Sequence, residues 1–422
     1  MRVQLAYGSD GLLVDLPDHA DVIYPHHLEG LPDEAEALRQ ALRSHIGSAP
    51  LSALAPVDGT IAIVFSDLTR PMPNRRVLPV LLAELAHIPD DQIVLINALG
   101  THRPSTREEL VWMLGEEIVT RYRIEQHDAF DPERLVHLGE TSRGVPIYVN
   151  KTYVEAAFRI VTGFIEPHIF AGFSGGPKGV MPGIAGIETI MRNHGFDMLA
   201  EPSATWGHTH DNPIWNELHE VATAATVDFL LNVSINRDKA LTGVFAGNLD
   251  AAHEAGVAHV RRSAIVEVDE PYDVVVTTNT GYPLDLNLYQ TGKGISAAQQ
   301  ITKKGGAIVV ASECRDGVPE WGEYRTIVLE GGSPQGIMEL VGQPGYRRHD
   351  QWQAQLQAMS QLHARIYVHC DGIADDELRR MYFEPCHDVA VCVEALLQQA
   401  GPCARLCVLP EGPQTIPTLR SH

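Results

Sequence analysis

Residues 60–98 read TIAIVFSDLTRPMPNRRVLPVLLAELAHIPDDQIVLINA, and they alternate short apolar runs with a helical pattern. The runs at 60–65 and 92–98 predict strands, and the stretch 76–87 between them predicts a helix. A polar loop follows each strand. Strands that alternate with helices predict a parallel sheet, in which ligands bind at the carboxyl ends of the strands.

The same alternation extends along most of the chain. Further strands are predicted at 157–164, 229–233, 241–245, 274–277, 307–310, 365–368 and 406–409. Helices are predicted at 33–44, 106–114 and 251–262, and a hairpin at 3–6 and 12–16. We therefore expect an α/β fold of two domains, 1–270 and 271–422. Each should be a mostly parallel sheet flanked by helices, with the active site in the cleft between the domains.

Composition and charge narrow the class of function. Hydrophobic residues make up 44% and charged residues 20% of the chain, which is typical of a globular protein. The formal net charge of −22 argues against binding to nucleic acid or to an anionic membrane surface. No secretory or spanning apolar stretch is apparent, so we expect a soluble, cytoplasmic protein. An anionic substrate would need positive charge supplied locally.

Four segments concentrate reactive side chains. They are DLTRPMP at 67–73, GTHRP at 100–104, EPHIFAGFSGGPKG at 166–179 with Asn193 and His194 beyond it, and NLYQTGKG at 287–294. Arg70 offers a planar fork suited to a carboxylate. The glycines before Lys178 let the backbone approach a ligand, although the Walker spacing is absent. Gly292, Gly294 and Ala297 fit GxGxxA, but no strand immediately precedes them, so we discount a dinucleotide site.

Together, and in this order, these motifs resemble the lactate racemase family, whose members carry a nickel pincer nucleotide. The resemblance spans nearly the whole chain. It implies that Lys178 holds the cofactor, covalently in the founding enzymes, and that His194 ligates nickel. It implies that His102 and His168 are the acid/base residues and that Arg70, Gln290 and Lys293 grip the substrate. Asp67 matches the aspartate beside that arginine, in a cofactor-contacting or orienting role.

Chemical reasoning agrees with the resemblance. A histidine cannot easily remove the C2 hydrogen of a 2-hydroxy acid as a proton, whereas hydride removal with loss of the hydroxyl proton gives a 2-keto acid. The ketone can take the hydride back on either face, and one histidine on each side can serve each hand. We therefore predict a racemase or epimerase of a lactate-like or malate-like 2-hydroxy acid. Loop composition further predicts that Ser174, Gly175 and Gly176 contact the cofactor phosphate or ribose.

Several alternatives stay open from the sequence. Arg75 and Arg76 follow Arg70 closely and would suit the second carboxylate of malate, or they lie on an exposed helix start. A sugar-acid 2-epimerase is another family activity. A zinc hydrolase with His102, His168 and His194 as ligands, and a binding protein that never receives the cofactor, are alternatives of other classes. The family implies maturation partners, namely a carboxylase/hydrolase, a sulfur-transfer protein and a nickel inserter; the oligomeric state cannot be predicted.

Overall fold

The structure, a computed structural model, describes residues 1–420 of the 422-residue chain. Contacts between Cα atoms divide the chain into two compact units. The central unit comprises His27–His194 and His208–Arg262, and the terminal unit comprises Met1–His26, Gly195–Gly207 and Ser263–His422.

The strands follow one another along the chain as β1 (Arg2–Leu5), β2 (Leu12–Asp15), β3 (Asp21–Val22), β4 (Ile61–Ser66), β5 (Ile93–Ala98), β6 (Arg123–Gln126), β7 (Leu135–Glu140), β8 (Pro146–Asn150), β9 (Phe158–Phe164), β10 (Pro167–His168), β11 (Gly172–Phe173), β12 (Phe229–Ile235), β13 (Leu241–Gly247), β14 (Ile265–Val268), β15 (Tyr272–Thr278), β16 (Thr302–Ala311), β17 (Arg365–His369), β18 (Glu384–Pro385), β19 (Leu406–Leu409) and β20 (Ile416–Leu419).

The helices are α1 (Glu34–Arg43), α2 (Leu51–Leu54), α3 (Asn74–Glu84), α4 (Arg107–Leu114), α5 (Glu116–Arg121), α6 (Lys151–Val154), α7 (Ile187–Asn193), α8 (Phe196–Ala200), α9 (Pro213–Ala225), α10 (Leu249–Ala264), α11 (Leu288–Gln299), α12 (Tyr324–Gly331), α13 (Pro334–Val341), α14 (Gln351–His363), α15 (Asp375–Arg380) and α16 (Val389–Ala400). Short 3-10 turns occur at Asp90–Gln92, Pro132–Arg134, Gly176–Gly179 and Gly412–Gln414.

The central unit is built on a six-stranded sheet of order β13-β12-β9-β4-β5-β6. All neighbouring strands are parallel except β12 and β13. Ile61, Ile63 and Phe65 of β4 pack in one core cluster with Leu38 of α1 and Leu78 of α3. Because side chains alternate along a strand, the remaining apolar residues of β4 face the other side of the sheet, where they too are buried.

The terminal unit contains a second six-stranded sheet, of order β18-β17-β16-β15-β19-β3, in which all neighbours are parallel. Val275 of β15 and Ile308 of β16 belong to one core cluster, whereas Val274 and Val309 belong to another. This alternation shows that both faces of the sheet are buried, as expected for parallel strands covered by helices.

This second sheet contains one strand from each end of the chain, β3 and β19. Residues 1–26, which the sequence predicts to lie in the first domain, join the terminal unit in the structure. The reason is strand pairing: Asp21 and Val22 of β3 pair with Cys407 and Val408 of β19. Residues 195–207 also belong to the terminal unit. The proposed domain boundary near residue 270 itself stays a prediction.

The predicted fold class and elements are confirmed. The expected hairpin forms from β1 and β2, and α1 begins after Asp33, whose carboxylate caps Glu36 N. Helix α4 begins with a capping box of Thr106 and Glu109. Between residues 115 and 156, where the sequence predicts no element, the structure has α5, the short strands β6 to β8 and α6. No helix within residues 1–420 is long and apolar enough to cross a membrane.

Candidate active site

The predicted catalytic loops lie at one edge of the central sheet. Asp67 follows β4 directly, His102 lies in the loop after β5, and His168 lies in β10, just after β9. Because these strands are parallel, their carboxyl ends meet at the same edge. The Gly100 amide donates to the Gly183 carbonyl at 2.9 Å, which joins the His102 loop to the segment that follows Lys178.

His102 is paired with a buried carboxylate. Its Nδ1 lies 2.8 Å from Asp67 Oδ2, and Thr69 Oγ1 donates to Asp67 Oδ1 at 2.8 Å. Asp67 is 4% exposed, whereas about half of the His102 side chain is exposed. An ionised carboxylate only accepts hydrogen bonds, so His102 donates from Nδ1. The Nε2 lone pair of His102 is then available as a base.

His168 is held in the opposite way. Its Nδ1 accepts hydrogen bonds from the backbone amides of Phe170 and Ala171, both at 3.2 Å. A neutral imidazole that accepts at Nδ1 carries its proton at Nε2. The Phe170 ring lies edge-on to both the His168 and the His194 rings, with centroid distances of 6.2 and 6.1 Å. The two acid/base candidates are therefore in different tautomers.

Arg70 and Lys178 place two cations in this unit. Neither side chain makes a hydrogen bond or salt bridge with the residues that the structure describes. Burial, and then repulsion by Arg70, lowers the pKa of Lys178 to about 7, although Glu166 opposes the shift. Part of Lys178 remains accessible to solvent, yet desolvation is the larger effect. An amine with such a pKa is a competent nucleophile near neutral pH.

His194 ends α7 as its C-cap residue, with its amide bonded to Ile190 O at 3.0 Å. Burial, and then the charge of Lys178, lowers the pKa of His194 to about 3. The ring is only partly buried by area, but desolvation still dominates. A neutral imidazole is the form that ligates a metal ion.

The glycine-rich segment is held by hydrogen bonds to other groups of the central unit. Ser174 Oγ donates to Phe164 O at 2.9 Å and accepts from Glu166 N at 2.9 Å. The Gly176 amide donates to Asn232 Oδ1 at 2.7 Å. Gly175 and Gly176 have φ angles of +77° and +52°, which favour glycine. These contacts favour a packing role for Ser174 and both glycines, and their contact with a cofactor stays a prediction.

Gln290 and Lys293 lie in the terminal unit, on α11, whose N-cap Asn287 accepts from the Gln290 amide at 3.1 Å. Gly292 and Gly294 are inside this helix rather than in a phosphate-binding turn. A Cβ on Gly294 would lie 2.0 Å from Thr278 O, so this glycine lets the helix pack against the end of β15.

Sequence reasoning missed two residues that support the site, Asn232 of β12 and His253 of α10. Asn232 is fully buried and His253 is 4% exposed. The one signal for Asn232 is a polar residue within the apolar run FLLNVSI. We find no sequence signal for His253, because a single histidine in a helix is common.

Two side chains of the candidate site, Lys178 and His194, fit a cofactor that is held by an amine and whose metal is ligated by an imidazole. Lys178 supplies the weakly basic amine, and His194 supplies the neutral imidazole. By contrast, no group of three or more His, Cys, Asp or Glu side chains within residues 1–420 is arranged to hold a metal ion. The three-histidine site that a zinc hydrolase needs is therefore unsupported.

The chain is similar to known proteins over nearly its whole length. Residues 7–207 match the family profile of the lactate racemase N-terminal domain, and residues 268–416 match that of the lactate racemase C-terminal domain. A lactate racemase of Lactiplantibacillus plantarum is 36% identical over 382 residues, which is 90% of each chain. A lactate racemase of Thermoanaerobacterium thermosaccharolyticum is 32% identical over 429 residues, covering 98% of this chain and 99% of that one.

Solved structures give the same result for the fold. The lactate racemase apoprotein from T. thermosaccharolyticum superposes with a TM-score of 0.93 at 32% identity, with 100% of both chains covered. A protein from Thermotoga maritima superposes with a TM-score of 0.68 at 19% identity, covering 93% of this chain and 100% of that one. The second likeness concerns the fold alone.

Proposed function

The chain belongs to the lactate racemase family, and from this premise we propose that it inverts C2 of lactate or a closely related 2-hydroxy acid with a nickel pincer nucleotide. The chain is an isomerase. We further propose that, of residues 1–270, those in the central unit bind the cofactor and carry the catalytic residues, and that residues 271–422 close over the substrate.

One arrangement supports the proposal most strongly. A histidine base oriented by a buried carboxylate lies in the same unit as an arginine that makes no ion pair within residues 1–420. A cation without an internal partner suits an anionic ligand, and the planar guanidinium suits a carboxylate. His102 and Arg70 together can therefore bind a hydroxy acid by its carboxylate and remove its hydroxyl proton.

Each candidate site residue then has a proposed role. When bound, the nickel pincer nucleotide supplies the acceptor and donor of the C2 hydride. Lys178 holds that group and His194 ligates its nickel. His102 accepts the hydroxyl proton at Nε2, while the charge of Asp67 stabilises the imidazolium that results. His168 would serve the other enantiomer. Because its Nδ1 accepts the Phe170 and Ala171 amides, His168 must release them before it can accept a proton at Nε2.

Three other arginines lie in or just after the predicted site motifs and bear on the choice of substrate. Arg76 is paired with Glu34 at 2.7 Å, and Arg103 is paired with Glu109 at 2.6 Å. Arg75 is exposed on α3. Because Arg76 and Arg103 are already neutralised and Arg75 faces solvent, none of them favours a second carboxylate. This supports a monocarboxylate such as lactate over malate; a sugar acid remains the alternative within the family.

The chemistry also implies cellular partners. We propose that cofactor-maturation proteins load this chain in the cytoplasm, because the nucleotide must be carboxylated, sulfurated and supplied with nickel before it binds.

The proposal is tested on protein produced together with the maturation machinery. We expect nickel near one atom per chain and a nucleotide-sized mass increment that is lost in Lys178→Ala. L-lactate and L-malate are then assayed separately for loss of optical purity, and an aldonate is assayed for formation of its C2 epimer. Stoichiometric zinc without nickel, or loaded protein that inverts C2 of none of the three acids, would contradict the proposed function. Nickel without covalent mass would make Lys178 an electrostatic anchor.

A further inference from the structure

His253 lies directly beneath the segment that carries Lys178. It is on α10, is 4% exposed, and its Nε2 lies 3.0 Å from the carbonyl oxygen of Ser174. Its ring stacks on Trp215, with centroids 4.8 Å apart and an interplanar angle of 24°. The stacking fixes the plane of the imidazole, so its N–H is aimed at one carbonyl.

The ring also touches the backbone of the segment. A Cβ built on Gly176 would lie 2.6 Å from Cδ2 of His253, so no side chain fits between them. Asn232, on β12, accepts a hydrogen bond at Oδ1 from the Gly176 amide at 2.7 Å. The Ser174 carbonyl and the Gly176 amide are thus anchored on both sides of Gly175, whose carbonyl accepts the Lys178 amide at 3.1 Å.

The protonation state of His253 agrees with this contact. Burial lowers the pKa of His253 to about 4, although the bond to Ser174 and the charge of Asp250 oppose the shift. At neutral pH the ring is therefore neutral and has one N–H. A carbonyl oxygen only accepts hydrogen bonds, so that proton is on Nε2.

We propose that His253 is a positioning residue for the cofactor-binding lysine: its Nε2–H holds the Ser174 carbonyl and thereby fixes the turn that presents Lys178. The inference rests on the proposed function only in assigning the cofactor to Lys178. Because His253 is buried, at 4% exposure, we assign it no contact with the substrate.

Substitutions of His253 can distinguish the effect of its Nε2–H donor from the effect of the space that its ring fills. His253→Leu fills similar space without a donor, whereas His253→Gln carries an N–H that can reach the same carbonyl. The matched control is His219→Leu, which removes a neighbouring exposed histidine that pairs with Asp250 at 2.7 Å.

The first measurement is hydrogen–deuterium exchange on the full-length, cofactor-free chain. We expect His253→Leu to speed exchange about fivefold to tenfold in peptides that cover 172–184, because one buried neutral hydrogen bond is lost. Exchange elsewhere should be unchanged, His253→Gln should restore protection, and His219→Leu should match the wild type. Unchanged exchange in His253→Leu, or equal exchange in the Leu and Gln variants, would overturn the proposal.

The second measurement is the fraction of chains that carry the cofactor mass after production with the maturation machinery. This fraction should fall in His253→Leu and recover in His253→Gln. If His253→Leu does not fold, His253→Gln is compared with His253→Asn, whose side chain is too short for its N–H to reach the Ser174 carbonyl. Equal exchange in these two variants would then refute the positioning role of His253. A wild-type chain that never acquires the mass increment refutes the proposed function instead, and leaves the exchange result standing.

Discussion

Replacing Asp67 by Asn separates the two roles that the sequence left open for this residue, contact with the cofactor and orientation of His102. In the structure Asp67 accepts from His102 Nδ1 at 2.8 Å and from Thr69 Oγ1 at 2.8 Å. The substitution keeps the shape but removes the charge. An asparagine can also donate to Nδ1, which would put the histidine proton on Nε2 and abolish the base.

The expected magnitude follows from this geometry. Two unit charges about 4 Å apart interact by about 4 kcal/mol at an effective dielectric constant of about 20. Because half of the His102 side chain is exposed, we reduce this to about 2–3 kcal/mol. Such a loss from the transition state lowers kcat roughly 30-fold to 150-fold.

The assay is lactate racemisation at equal cofactor loading, with the load measured by intact mass and nickel content. We expect Asp67→Asn to load normally and to lose activity. Thr69→Val should lose far less, because it leaves the carboxylate in place. Normal kcat in loaded Asp67→Asn would refute the orienting role, and failure to load with normal kcat per loaded chain would assign Asp67 to the cofactor.

The remaining predictions concern binding and stability. Arg70→Lys should raise KM for lactate about tenfold or more by removing the bidentate fork, as measured by initial rates, while Arg76→Ala should leave KM within about twofold. In cofactor-free protein, Lys178→Met should raise the thermal midpoint at pH 7, and the gain should shrink toward pH 10, because burial disfavours the charged amine. His127 follows β6, is 2% exposed, and its Nε2 lies 2.9 Å from Ala185 O. Burial lowers the pKa of both His253 and His127 to about 4, so the contribution of each histidine to stability is fully present above pH 6.5 and is lost between pH 6.5 and 4. Urea titrations across that window should show the free energy of unfolding fall by up to about 3 kcal/mol for each histidine. In His253→Gln the total fall should be smaller by the contribution of one histidine. A free energy of unfolding that does not change across the window would contradict both pKa shifts.

Part of the fold could be predicted because its signals are local. Apolar runs such as that of β4, followed by a polar loop and a helical period, identify parallel α/β units, and Asp33 and Thr106 mark helix starts by their capping chemistry. Strands β6 and β7 were missed because none of their residues is buried and neither shows clear alternation. Strand β8 does bury Ile147 and Val149, but it is only five residues long and gives a weak signal.

The candidate site could likewise be predicted only in part from the sequence. Motif order identified the family and pointed to His102, His168, Lys178 and His194, because the first three lie in its loop motifs and His194 lies beyond the motif at 166–179. It could not distinguish the tautomers of the histidines, since these depend on Asp67 and on the backbone amides of Phe170 and Ala171. Nor could it show that the Ser174 hydroxyl is already bonded within the protein.

The sequence by itself determined the class of fold, the family and the chemical identity of the reactive side chains, because these depend on residue type and on spacing along the chain. Only the tertiary structure decided that β3 is an edge strand of the sheet in the terminal unit, that Arg76 is paired with Glu34, and that His253 contacts the turn before Lys178. Each of these three contacts joins segments that are far apart in the chain, and such pairings are set by packing and hydrogen bonding that no local pattern records.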